Sequence, residues 1–517
     1  MRPMRIGLFI VGGLPIVLSA CGERPLPQTL AIAADAGADA GADAPGDRGP
    51  PPGAVDWGIA VGAPAPAGGS MTATAVMPLG DGSVIVAGGF TGTVSFAPDV
   101  TKTASTPRGA YVARYRSDRR LVWVTTLAAP DGDLVIADLA PLDAGEVAIA
   151  GWFGATLTIE GPADVAGQHV LASAGGLDLF VSRIASDGSV RWAKQAGGAG
   201  DDIARGIASR VDPSGAVSIA LTGAIGADAL FGAGESGATR SPAGSGPIFV
   251  AELDGDGTFG WAAFPGGQVP GQGYAVAIDG SGMVGVTGYV NGSAPFGTGP
   301  GGATITVDPA IGRAFVAGWS AQGNLAWALP LAGAMGEGDA IVDAPGGGFV
   351  ATGLFLGKST FGSAGSPTTV TFTSDTPTQP GCFLAAVGAG GALGWVRRLA
   401  GSGIHPWRIR RNDDGALYLA ASFGGMVLLD PDGPHPAHIT SSGDDDAAFI
   451  RLAANGELDW VTTGGGLGDD EAADFAAATD GTAWAVGRYA GPATFGADAV
   501  TLDSGTGGGG FLLHLNP

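Results

Sequence analysis

Cysteine and lysine are scarce in this 517-residue chain: there are two cysteines, Cys21 and Cys382, and three lysines beside 22 arginines. Two cysteines cannot make a disulfide-stapled scaffold, so a fold of this size must be held by packing. Positive charge is short as well, with 25 basic against 48 acidic residues and a formal net charge of −23. That balance argues against nucleic acid and against anionic lipid surfaces as partners. Helical patterning is missing; Asp far exceeds Glu, and the 95 glycines weaken helices while serving turns. No Gly-x-Ser-x-Gly elbow, His-Glu-x-x-His helix or phosphate-binding loop occurs, so no local motif marks a catalytic centre. Activity assembled from single residues on separate repeats would leave no such mark.

What the chain does have is a repeat. Tyr111, Phe180, Phe249, Phe315, Phe383 and Phe449 each precede a tryptophan by eleven or twelve residues, at Trp123, Trp192, Trp261, Trp327, Trp395 and Trp460. A small residue and Gly end an apolar run in most units, as in Ala87-Gly88, Ala150-Gly151, Thr222-Gly223, Thr287-Gly288 and Thr352-Gly353. The runs are five to seven residues long and are separated by turns such as Asp187-Gly188 and Asp256-Gly257, as strands and tight hairpins require. Each unit therefore reads as four strands, A to D; in the third, A covers 203–211, B 216–223, C 247–253 and D 258–264. Phe511 has no tryptophan after it, whereas Trp57 has no matching aromatic before it. The orphan strand around Trp57 then completes a last unit whose A, B and C strands lie near 471–478, 482–489 and 510–515. The expected fold is all-β: a seven-bladed β-propeller over 54–517 with four-stranded blades, closed by that N-terminal strand. Two β-sandwiches or an open array would leave the matching ends unexplained.

Gly197-Gly198-Ala199-Gly200-Asp201-Asp202, Arg205-Gly206-Ile207-Ala208, Asp212-Pro213-Ser214-Gly215 and the strand ending Thr222-Gly223 together resemble the bacterial β-propeller repeat of the SBBP type. Gly464-Gly465-Gly466 with Asp469-Asp470 repeats the pattern. The resemblance runs from about residue 54 to the end and implies a fold and a surface or secreted setting, with no assigned activity.

At the N-terminus, Arg2 and Arg5 precede a 13-residue apolar stretch, Ile6 to Leu18, too short for a membrane span. It ends in Leu18-Ser19-Ala20-Cys21, which resembles a lipobox. This implies a signal peptide over 1–20 and lipid attachment at Cys21, with the acyl chains giving a stable membrane anchor. Gly22 in place of aspartate points to the outer membrane or cell surface of a Gram-negative bacterium. Residues 21–53, small, acidic and Pro-rich, read as a disordered tether. Cys382, alone and beside Phe383 in a C strand, reads as a packed thiol.

In a propeller the D–A and B–C connections share one face. Here the B–C connections are long, for example 224–246, 291–312 and 356–380, and long loops on a rigid scaffold commonly carry binding. Their Phe-Gly pairs (Phe231-Gly232, Phe296-Gly297, Phe361-Gly362, Phe495-Gly496) read as anchors packed on the blades. Acidic pairs at Asp201-Asp202 and Asp469-Asp470, with Asp131 and Asp133, and Glu337 and Asp339, as looser versions, allow a Ca²⁺-binding ring. The favoured reading is that each Asp fixes a turn through backbone N–H groups, so no cofactor is assigned. The sixth unit departs from the repeat: Ile404-His405-Pro406-Trp407-Arg408-Ile409-Arg410-Arg411 replaces the acidic pair, Ala421 replaces the strand-ending glycine, and its B–C loop holds His435 and His438. His405, Arg408, Arg410, His435 and His438 form the candidate ligand patch, suited to a carboxylate or an acidic sugar. A zinc site from His405, His435, His438 and Asp430 is chemically conceivable but is not assigned. No catalytic residues are assigned. The function expected is a lipid-anchored scaffold that binds a protein or polysaccharide; the alternative is an extracytoplasmic lyase or hydrolase acting on an acidic glycan, with His405, Arg408 and Arg410 handling substrate charge and protons.

Overall fold

The computed structural model describes residues 51–517 apart from 62, 105–107, 163–167, 227, 243–246, 298–303, 306–311, 332–334, 363–367, 498–499 and 504–507. The expected signal peptide at 1–20, Cys21 and the expected tether up to residue 50 lie outside the described residues. Contacts divide the chain into Met1–Pro51 and Pro52–Pro517. The second unit is all-β, with antiparallel pairing throughout; among the described residues there is no α-helix, hence none long and apolar enough to cross a membrane.

Four-stranded sheets recur along the chain. In the third repeat Ile203–Val211, Val217–Ala224, Ile248–Asp254 and Phe259–Ala263 pair in sequence order, within a residue or so of the expected bounds. Nine strands frame the middle and the two ends of this unit, in chain order: β1 (Val55–Val61), β2 (Ala63–Pro78), β3 (Leu134–Pro141), β4 (Ile203–Val211), β5 (Gly271–Ile278), β6 (Met335–Asp343), β7 (Ile404–Arg411), β8 (Glu471–Ala477) and β9 (Gly509–Leu515). Strands β2 to β8 are the first strands of the seven repeats. Each touches the next, and β8 touches β2, so the row of first strands closes on itself. The last sheet is completed by the N-terminal strand: β1 pairs antiparallel with β9, Ala60 opposite Phe511.

Tryptophans join neighbouring sheets. The indole N–H of Trp123 donates to the Ser186 carbonyl at 2.9 Å, Trp192 to Gly255 at 2.9 Å, Trp261 to Ala321 at 3.2 Å and Trp327 to Ala389 at 2.8 Å. Each acceptor lies in the C–D turn of the following repeat. The recurring tryptophan therefore tacks the outer strand of one sheet to the next while burying its ring against it.

The long B–C connections are extra hairpins rather than open loops. Leu230–Phe231 pairs with Thr239–Arg240, Lys358–Phe361 with Val370–Thr373, and Ala493–Phe495 with Val500–Leu502. Several also pair with the outer strand of the preceding repeat, as Thr126–Ala128 does with Thr158–Glu160 and Gly464–Gly466 with Ala493–Phe495. Phe231, Phe296, Phe361 and Phe495 are fully buried beneath them, so these rings anchor the hairpins. Cys382 is buried too, and burial pushes its thiol up to about 12, leaving it unreactive.

Candidate functional site

The seven first strands share one irregularity. In each, the pairing with the second strand slips at the same place, between Ala73 and Ala75, Ile136 and Asp138, Ala204 and Gly206, Gly273 and Ala275, Gly338 and Ala340, Pro406 and Arg408, and Ala472 and Asp474. A bulge re-aims the extra side chain and tightens the local bend. The bend explains the strand-ending glycines: a Cβ on Gly88, Gly151, Gly223, Gly288 or Gly487 would sit 1.9 Å from a first-strand carbonyl oxygen. In the sixth repeat Ala421 faces Pro406, which has no N–H to give the ladder.

The bulged residues are Thr74, Ala137, Arg205, Tyr274, Asp339, Trp407 and Ala473. Four consecutive strands, β4 to β7, carry large polar or aromatic groups, and the other three carry small ones. On the polar side the groups meet one another. The Arg205 guanidinium lies 5.5 Å from the Tyr274 ring centre, and Tyr274 packs on Tyr289 at 5.5 Å. The Tyr274 hydroxyl donates to Glu337. Ligand atoms of Glu337, Asp339 and His405 all lie within 4.8 Å of one another. His405 packs on Trp407 with ring centres 4.1 Å apart, and the Trp407 indole donates to Ser422 at 2.9 Å. Trp407 remains 37% exposed. Burial dominates the electrostatics: it raises the Glu337 carboxyl, raises Asp339 further with help from the Glu337 charge, and lowers the His405 imidazole to about 4.

On the other side, Arg408 and Arg410 reach the strands that carry the small residues, Arg408 donating to the Ala137 carbonyl at 3.2 Å. Arg410 Nη2 lies 3.0 Å from Asp138 and 2.8 Å from Asp474, and Arg408 is also ion-paired with Asp138. The Asp474 carboxylate additionally accepts the Val76 N–H at 3.0 Å. These contacts bind β7, β8, β2 and β3 together across the middle of the row of first strands. The coulombic pull of the two carboxylates outweighs burial and raises Arg410 above its ordinary range.

The expected patch is therefore divided. His405 belongs to the polar cluster, but Arg408 and Arg410 are neutralised by Asp138 and Asp474. His435 and His438 are exposed, and His438 pairs with Leu428, six residues beyond the Ser422 partner of His405 on the same strand, on the order of 20 Å away. Asp430 accepts the Leu458 N–H at 3.1 Å in the outer hairpin, so the conceived zinc set is not brought together. Of the acidic pairs, Asp202 accepts the N–H groups of Gly198 (2.8 Å) and Gly226 (2.9 Å), and Asp470 those of Gly466 (2.6 Å) and Ala490 (2.9 Å). Their oxygens fix turns. Glu337 and Asp339 differ from these pairs: they sit on the inner strand β6, in the same places as Gln272 and Tyr274 on β5 and His405 and Trp407 on β7. Aligning each repeat on its strand-ending glycine would have revealed that correspondence.

No family model and no curated protein matches the chain. Among solved structures, a protein of unknown function from Dyadobacter fermentans DSM 18053 is similar at 11% identity, over 73% of this chain and 93% of that one. The TM-score of 0.34 carries no argument about fold or function.

Proposed function

We propose that Pro52–Pro517 is a seven-bladed β-propeller that serves as a polysaccharide-binding scaffold, held through acylated Cys21 at the outer membrane or cell surface of a Gram-negative bacterium. The propeller reading rests on the seven first strands touching in a closed row and on β1 completing the last sheet. The binding reading rests on one observation: four consecutive strands carry Arg205, Tyr274, Asp339 and Trp407 at their bulges, and contacts through Glu337 and His405 link them into one cluster. A half-exposed indole offers a flat face to sugar C–H groups, and the guanidinium, phenol and carboxyl groups beside it supply directional hydrogen bonds. Because Arg408 and Arg410 are already paired and the chain carries a net charge of −23, a neutral, hydroxyl-rich polysaccharide fits better than an acidic glycan. The B–C hairpins, bonded to neighbouring sheets, frame the site rather than form it.

The test is titration of the full chain against a panel of neutral and uronic-acid polysaccharides. Binding of a neutral glycan, weakened at least about tenfold in Trp407→Ala with unchanged melting, supports the reading. Binding that survives that substitution, or no binding to any neutral glycan, sinks it. Anchoring is checked separately: Cys21→Ala should lose palmitate-type labelling and leave the membrane fraction.

A hydrolase or lyase is the second reading. It is favoured by the setting of Asp339, whose carboxyl is raised above its ordinary range by burial and the Glu337 charge and lies within 4.8 Å of Glu337 and His405, an arrangement suited to acid–base work. Turnover lost in Asp339→Asn with binding retained would establish it.

A further inference from the structure

We infer that Glu337, Asp339 and His405 form a divalent transition-metal site at the junction of the fifth and sixth repeats. The inference rests on the polar cluster on β4 to β7 being the functional site, but not on the glycan. Three observations lead to it. Ligand atoms from the three side chains fall within 4.8 Å of one another, close enough for one ion to touch all three. Asp339 Oδ2 and His405 Nδ1 are both buried from solvent and have no hydrogen-bond partner, although buried polar atoms are ordinarily paired. Finally, Glu337 and Asp339 stand two residues apart on β6 and so share one side of it, and His405 holds the place on β7 that Glu337 holds on β6. An ion here would satisfy both orphaned atoms and offset the repulsion between two desolvated carboxylates.

The donor set decides the class of ion. One imidazole nitrogen with two carboxylates suits Zn²⁺ or Mn²⁺, whereas Ca²⁺ takes six to eight oxygens and seldom an imidazole. Three protein ligands leave coordination positions free, and the surroundings would direct what fills them. Tyr274 orients Glu337 by its hydrogen bond, and Arg205 lies on the Tyr274 ring. Trp407 flanks His405 and presents an exposed ring. A hydroxyl-bearing ligand seated on that indole would reach the open positions.

The full chain, stripped with EDTA and dialysed, is titrated with ZnCl₂, MnCl₂ and CaCl₂ by calorimetry, with thermal melting followed in parallel. One Zn²⁺ per chain is expected, tighter than Mn²⁺, with Ca²⁺ weakest, and melting should shift upward as the ion binds. Asp339→Asn and His405→Gln should each weaken Zn²⁺ binding on the order of 100-fold, since a lost ligand costs at least what a lost second-shell partner does. Both variants should keep cooperative melting without the ion. The double variant His435→Ala/His438→Ala, which removes exposed histidines far from the site, should bind as the parent does. No Zn²⁺ binding by the folded parent, tight Ca²⁺ binding in place of Zn²⁺, or unchanged affinity in Asp339→Asn and His405→Gln would each overturn the proposal. Metal binding without glycan binding would leave this site standing and remove the polysaccharide reading alone.

Discussion

The residue lying on each joining tryptophan is a glycine at Gly53, Gly188, Gly257, Gly323, Gly391 and Gly456, with φ between +76° and +87°. In the remaining place Arg119, at φ 70°, lies over Trp57 with its guanidinium 5.0 Å from the ring centre. A Cβ on any of the six glycines would come within 2.6 to 2.9 Å of the indole. Gly257→Ala should therefore cost about 2 kcal/mol or more in thermal unfolding, from left-handed strain and the clash together. Arg119→Gly should change stability by less than about 1 kcal/mol, since relief of strain offsets a lost exposed cation–π contact. A second residue-scale expectation concerns pH. Burial raises Asp202 and Asp470 to about 6 from 3.8, so in the fold each keeps a proton that the unfolded chain has released. Their contribution is fully present below 3.8 and is lost as pH rises through about 6. Relative to Asp202→Asn, the parent protein should lose stability between these limits and run parallel outside them. Carboxyl NMR titration of Asp202 centred near 4 would remove the effect.

At the scale of the strand, the bulge and its glycine are one device. Gly223→Ala places a methyl 1.9 Å from the Ile203 oxygen, so the bulge in β4 must open. A loss of about 3 kcal/mol or more is expected, with Arg205 displaced, and chemical denaturation measures it. The strand pairs are legible in the sequence, because alternation, Asp-Gly turns and a regular Trp spacing are local signals, whereas the bond from each indole to the next repeat is not. Nor are the bulges. Which residue of β6 is the extra one depends on pairing with Phe349–Leu356, and a slip of one residue exchanges the two faces of a strand. Hence Glu337 and Asp339 read as a loop pair, when they are neighbours on an inner strand. The sixth repeat stands out in the sequence as the exception, but nothing in the sequence shows what its two arginines pair with. Their partners Asp138 and Asp474 lie in other repeats, and no spacing rule links them. Arg410→Met should cost about 3 to 5 kcal/mol, chiefly by taking from buried Asp474 its close guanidinium partner while Asp138 keeps Arg408, whereas replacing Arg408, Arg410, Asp138 and Asp474 together by apolar residues should recover much of the loss.

For the whole molecule, closure depends on the joint between β1 and β9. Removing residues 54–60 takes away the outer strand of the last sheet and leaves Phe511 and Leu513 without their pairing partners. Cooperative melting should broaden and shift down, and limited proteolysis should cut first within 471–515. Removing 30–48 should leave both unchanged. The joint itself has the form of an ordinary turn cut in two: the Gly53 N–H donates to the Asn516 carbonyl at 3.1 Å, and the Asn516 N–H to the Ala54 carbonyl at 2.9 Å. Gly53 lies on Trp460 just as Gly257 lies on Trp192 in an uninterrupted turn. The chain ends are thus one location among seven equivalent ones. A circular permutant joined across Asn516 and Gly53 and opened at Asp256-Gly257 should melt close to the parent, with the polar cluster intact. The point at which the N-terminal segment joins the sheets could then be moved from one repeat to another, like the clasp on a necklace, without touching the cluster of Glu337, Asp339 and His405.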